Sequence, residues 1–150
     1  MARPRWGALL LSLTVLGLAP LAAQDLPAMP KVDISLVPQV IQGDISKVLW
    51  QDPRSLSATM GKPLVVSLDG ENFRLRVSMT VYPHKKGYFL VVQQEVASRS
   101  QGAEGFRSSV QSVACTPGDK LLFYPFGQAV PGGAEELVLE ISVQPHEAHH

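Results

Sequence analysis

The chain has 150 residues, with 13 Lys and Arg against 13 Asp and Glu, and a single cysteine. This balance excludes the basic footprint of a nucleic-acid binder, and one cysteine excludes an internal disulfide framework. The length beyond the N-terminal segment fits one domain that can hold by packing alone.

Residues 1–23 have the layout of a secretory signal peptide. Arg3 and Arg5 form a basic start, and Ala8 to Leu18 run almost wholly apolar. Pro20 breaks the run, and Leu21-Ala22-Ala23 offers a cleavage site before Gln24. The apolar run is about half the roughly 20 residues that span a bilayer, and no later segment is longer or more apolar. No transmembrane span is therefore expected once the peptide is removed, and a periplasmic or secreted location follows. No cysteine stands near the cleavage site, which excludes a lipobox. Leu21 is larger than the usual small residue at its position, and a retained anchor is the alternative.

Residues 24–30 read as a leader, because Pro27 and Pro30 prevent regular structure. From Lys31 the dominant period is two. Val32, Ile34 and Leu36 alternate with Asp33 and Ser35 in a first strand. Ile45 to Trp50, Ser55 to Thr59 and Lys62 to Leu68 follow as further strands, with Asp69-Gly70 as a turn. Trp50 beside Leu49 is expected in the core.

Phe73 to Tyr82 gives the clearest signal. Phe73, Leu75, Val77, Met79 and Val81 point one way, and Arg74, Arg76, Ser78, Thr80 and Tyr82 the other. Such alternation marks a half-buried antiparallel strand. After Pro83, the segment His84-Lys85-Lys86-Gly87 reads as a four-residue loop, with Gly87 available for a positive φ. Tyr88 to Ser98 forms the return strand. If Pro83 faces Tyr88, then Val81 faces Leu90, Met79 faces Val92 and Leu75 faces Val96 on the apolar side. Arg76 then faces Glu95, and Ser78 faces Gln93. A one-residue slip would set apolar residues against polar ones.

Ser98 to Gly105 reads as a polar loop. Phe106 to Thr116 and Lys120 to Phe126 are predicted strands around a Pro117-Gly118-Asp119 turn, and Gly127 to Ala134 is a Gly/Pro loop. Leu137, Leu139, Ile141 and Val143 alternate in a last strand that Pro145 stops. No helical period exceeds two turns after the signal segment. Residues 31–145 are thus expected to form one all-β domain, an antiparallel sandwich or a curved meander sheet, and residues 146–150 a disordered tail.

Three pieces of this pattern carry a resemblance. Thr59-Met60-Gly61-Lys62-Pro63-Leu64-Val65-Val66 sets a small turn before a valine strand. Leu75 to Pro83, with Gly87 and Val91 to Glu95, forms a strand hairpin. Ser109 to Cys115 is followed by Pro117-Gly118-Asp119-Lys120-Leu121-Leu122. Together the stretch from about Ser55 to Pro145 resembles the β-domain of bacterial outer-membrane secretins and related stand-alone envelope β proteins. The departures are equally plain. The family's V-P-x-L-G-x-I-P segment is absent, as is the length of a pore wall, and Pro125-Phe126-Gly127 stands where secretins have a glycine pair. The resemblance implies a soluble relative or truncated meander, not a channel.

Candidate chemistry is sparse. His146, His149 and His150 are weak metal candidates, since three imidazoles can hold Zn²⁺ or Cu²⁺ but here lack a scaffold. Arg74 and Arg76 share a strand face and could cradle an anion, although Arg76 is expected to meet Glu95. Cys115 reads as a small apolar strand residue. Phe123, Tyr124 and Phe126 are the candidate partner-binding residues, because an aromatic run beside a Gly/Pro loop often serves binding. His84 is the sole internal histidine, and no nucleophile elbow, zinc helix or phosphate loop occurs. The sequence thus reads as a non-enzyme without cofactor. It is expected to be an exported envelope β-sheet module acting through protein partners, as an accessory in secretion or envelope assembly. The alternatives are a small hydrolytic or metal-dependent enzyme and a carbohydrate-binding module.

Overall fold

The computed structural model describes residues 28–42, 47–127 and 135–147. The signal segment, most of the leader, residues 43–46 with the start of the strand expected over Ile45 to Trp50, the Gly/Pro loop from Gln128 on, and residues 148–150 with His149 and His150 lie outside them. Nine strands run through the described residues: β1 (Lys31–Gln42), β2 (Lys47–Gln51), β3 (Arg54–Thr59), β4 (Leu64–Asp69), β5 (Phe73–His84), β6 (Gly87–Ser100), β7 (Ala103–Cys115), β8 (Leu121–Phe123) and β9 (Glu135–Pro145). The all-β expectation holds, and every pairing is antiparallel.

The strands form two sheets. The first runs β2-β1-β9-β8, with β3 also paired to β1, and the second runs β4-β5-β6-β7. Val32, Ile34, Leu36, Leu139, Ile141 and Val143 of the first join Leu75, Val77, Met79, Val81, Leu90 and Val92 of the second in one core. Two sheets closing over one core is the sandwich of the two expected forms. Each such side chain contributes about 1.5–3 kcal/mol by leaving water.

The expected hairpin register is present. Val81 pairs with Leu90, Met79 with Val92, Leu75 with Val96, Arg76 with Glu95 and Pro83 with Tyr88. The connection is tighter than expected, because His84 pairs with Gly87 and only Lys85-Lys86 turn. The positive φ falls on Lys85, at 47°. Gly87 is needed for another reason: a Cβ there would collide with the carbonyl oxygen of Cys115 on the neighbouring strand. The polar loop expected over Ser98 to Gly105 also contracts. Ser100 pairs with Ala103, leaving a two-residue turn in which Gln101 and Gly102 take φ of 51° and 77°. Positive φ at both positions matches the right-handed twist of a hairpin.

Two features of the first sheet go beyond the sequence reading. The first strand does not end at Leu36 but continues through Pro38 to Gln42. Its N-terminal half pairs with β3 and its C-terminal half with β2, on one edge. The Pro38 carbonyl accepts from the Asp52 N–H at 3.0 Å. A strand residue points its N–H and C=O to the same side, so the donor that proline lacks would aim at the gap where Asp52-Pro53 passes from β2 to β3. Proline is tolerated there because no ladder bond is lost. Second, Leu121–Phe123 pairs with β9 and not with β7. The Pro117-Gly118-Asp119 turn is therefore a crossing between sheets. The Asp119 carboxylate accepts from the Thr116 N–H at 2.8 Å and its hydroxyl at 2.9 Å, and Gly118 N–H donates to Val143 of β9 at 3.0 Å.

Candidate interaction surface

The rows of the second sheet show how its site arises. On the face toward the core, successive rows read Val81–Leu90–Val113, Met79–Val92–Gln111, Val77–Gln94–Ser109 and Leu75–Val96–Arg107 across β5, β6 and β7. The strands change from wholly apolar in β5 to largely polar in β7. The opposing sheet ends on β8, which is three residues long. A strand with no layer opposite it has nothing to bury, and most of β7 is exposed on both faces. From the first sheet's side it is reached at Arg107, whose guanidinium donates to the Phe126 carbonyl at 2.8 Å.

The outer face of β7 carries Phe106 and Val110, 73% and 64% exposed. Val65, Tyr82 and Phe89 of the same sheet are exposed as well. The free edge of β7 carries no strand among the described residues. Its sequence, AEGFRSSVQSVAC, contains neither Lys nor Pro, the residues that commonly blunt such an edge. This surface was missed by the sequence reading. Its signal was available: Arg107, Ser109 and Gln111 occupy positions that should be apolar in a strand facing a core.

The residues singled out from sequence do not form one surface. Phe123 is 4% exposed and belongs to the core, so it cannot meet a partner. Leu122 holds the outward position instead. Tyr124 is half-buried. Phe126 is exposed and sets its ring edge-on against Phe73, with centroids 5.5 Å apart. Trp50, expected in the core, is exposed with Val48 and Leu49, because β2 pairs with the far half of β1 and all five of its residues remain open to solvent.

The charged candidates are surface pairs. Arg76 lies 3.8 Å from Glu95, Arg74 2.7 Å from Asp69, and Arg99 2.8 Å from Glu104. The Arg74 guanidinium is raised further by its hydrogen bond to Asp69. His146 places Nδ1 2.8 Å from Asp33. No group of three or more His, Cys, Asp or Glu that could hold a metal occurs among the described residues.

Open hollows lie at both ends of the second sheet. One, of about 430 Å³, lies beside the β5–β6 turn and is lined by His84, Lys85, Lys86, Cys115, Thr116 and Asp119. Its thiol is a poor nucleophile: burial first, then the Asp119 charge, raise the Cys115 pKa, and only the thiolate reacts. The other, of about 630 Å³, lies at the opposite end of the sheet between Phe73 and Phe106. Between these ends sits Gln94, 1% exposed, with neither amide atom hydrogen-bonded. It lies on β6, the strand between the apolar inner face of β5 and the largely polar one of β7.

Compared with known proteins, the chain matches no family model, no curated protein and no solved structure.

Proposed function

We propose that this protein is an exported β-sheet module of the cell envelope that works by binding other proteins, as an accessory in secretion or envelope assembly, and that β7 is its binding surface. One observation carries the reading: a strand of 13 residues that, among the described residues, is open along its edge, is exposed on both faces over most of its length and is free of Lys and Pro. An open edge presents a row of backbone donors and acceptors to an incoming strand, and alternate side chains then select the partner. The signal-peptide layout of residues 1–23 supports the location. The secretin-like segments supply the link to secretion, and they fall on β3 to β8.

The test is a comparison of two baits. Wild-type protein and Phe106→Lys/Val110→Lys are offered the same envelope extract, after equal melting temperatures show both are folded. Proteins held by wild type and released by the variant, and then bound again in purified form, support the reading. Identical capture by both baits rejects β7 as the surface.

A further inference from the structure

The free edge of β7 has a symmetry of its own. Its two large exposed residues, Phe106 and Val110, stand two places either side of Ser108, on the outer face. We infer that the chain bound at this edge is β7 of a second copy, laid antiparallel about a two-fold axis through Ser108. This rests on the reading of β7 as a protein-binding edge and names its occupant.

An axis perpendicular to the sheet keeps both outer faces on one side and pairs each residue with its mirror position about Ser108. Phe106 of each copy then faces Val110 of the other. Aromatic and β-branched residues directly opposite are among the favourable cross-strand pairs. The same register turns the two most exposed apolar side chains of the strand toward each other. Ser108 faces Ser108, where two small hydroxyls can meet. Glu104 faces Ser112 and Arg107 faces Ser109, so no charge meets a like charge. Neighbouring registers are worse. An axis through Arg107 sets two guanidiniums together, and one through Val110 pairs Phe106 with Ala114. Without Arg3 and Arg5 the exported chain keeps 11 Lys and Arg against 13 Asp and Glu, a formal charge of −2 and so only a weak general repulsion between copies.

Other edges are less suited. β8 has three residues and β4 six, and the β2–β3 edge is interrupted at Asp52-Pro53. Pairing through β7 instead joins the two second sheets into one continuous sheet and removes the longest open edge of each. It is an isologous contact, which closes at two copies and does not propagate.

The experiment uses full-length protein expressed for export and purified from the periplasm. Sedimentation velocity across a concentration series should show a monomer–dimer equilibrium, and Val110→Lys should return the mass to monomer while keeping the melting temperature wild type has at concentrations where it is monomeric. Cysteines then read the register in a Cys115→Ala background. Ser108→Cys should form a disulfide-linked dimer under mild oxidation. Ser112→Cys, on the same face, should not, because its two copies would stand roughly 26 Å apart at about 3.3 Å per residue. A wild-type protein monomeric at every concentration overturns the inference. So does a dimer indifferent to Val110→Lys, or one that links through Ser112→Cys as readily as through Ser108→Cys. If the protein is monomeric while β7-dependent capture of an envelope protein persists, the second copy is wrong and the binding edge stands.

Discussion

β5 and β7 flank the same strand, have 12 and 13 residues, and follow the same backbone ladder on opposite sides of β6. Leu75, Val77 and Met79 of β5 are fully buried, whereas Arg107 and Gln111 of β7, in the same rows, are exposed. The difference lies in what stands opposite. β5 is covered by the first sheet, and β7 runs past the short β8. Strand formation and strand burial are therefore separate properties. The first needs one hydrogen-bonded neighbour, and the second needs a layer.

Substitutions at matched rows can break this comparison. Met79→Ala removes a side chain from the closed part of the core and should cost about 2–5 kcal/mol. Gln111→Ala, in the same row on the open strand, should change stability by less than about 0.5 kcal/mol, provided both are measured by urea denaturation at a concentration that keeps the protein monomeric. Comparable losses would show that β7 is covered. Gln94 sharpens the boundary between the two regimes. Its buried amide has no partner, so Gln94→Met should raise stability by about 1–3 kcal/mol, seen as a higher urea midpoint at constant slope. Destabilisation would mean that the amide is satisfied in solution.

Smaller effects concern the surface. Arg76→Ala should cost under about 1 kcal/mol, because an ion pair at 3.8 Å between an exposed guanidinium and a half-buried carboxylate at the surface contributes little. A double-mutant cycle with Glu95→Ala isolates that coupling. Asp119, which closes the turn from β7 to β8, is held below the ordinary aspartate range by the Thr116 N–H and then its hydroxyl. A depressed folded value means its contribution is present above the unfolded pKa of about 3.9 and is lost as pH falls through the folded value. Stability measured below pH 4 should therefore fall less steeply in Asp119→Asn than in wild type.

The hairpin of β5 and β6 was legible because β5 alternates strictly and because Arg76 and Glu95 agree with the apolar pairs on one register, although Tyr88 to Val92 of β6 is an unbroken apolar run. The extent of β1 was less so. The pattern from Val32 to Leu36 does not show how far the strand runs, and the Pro38 carbonyl partner, Asp52, lies between two strands whose positions no local pattern encodes. The Phe123 to Phe126 run illustrates the same limit. Its aromatics suggested a surface, but the pairing of Leu121–Phe123 with β9 turned Phe123 inward and Leu122 outward. In β7 the information was present but needed the opposite question. A polar run at inward positions says that nothing covers the strand.

The pairing of β1 with β9 has a temporal consequence. These two strands, near the two ends of the described chain, form the centre of the first sheet, and Val32 meets Pro145. The second sheet, by contrast, is a run of neighbours in which β4, β5, β6 and β7 pair in order. Short-range hairpins close quickly, while contacts between distant residues wait on loop-closure entropy. The meander should thus assemble first and the β1–β9 ladder last, since β9 is also the last of the described strands to be synthesised. On the export reading, a chain still threading through a translocon holds its β1 on one side of the membrane and β9 on the other. The sheet that completes the core then has to wait until both have crossed, so the topology itself delays folding until after transport.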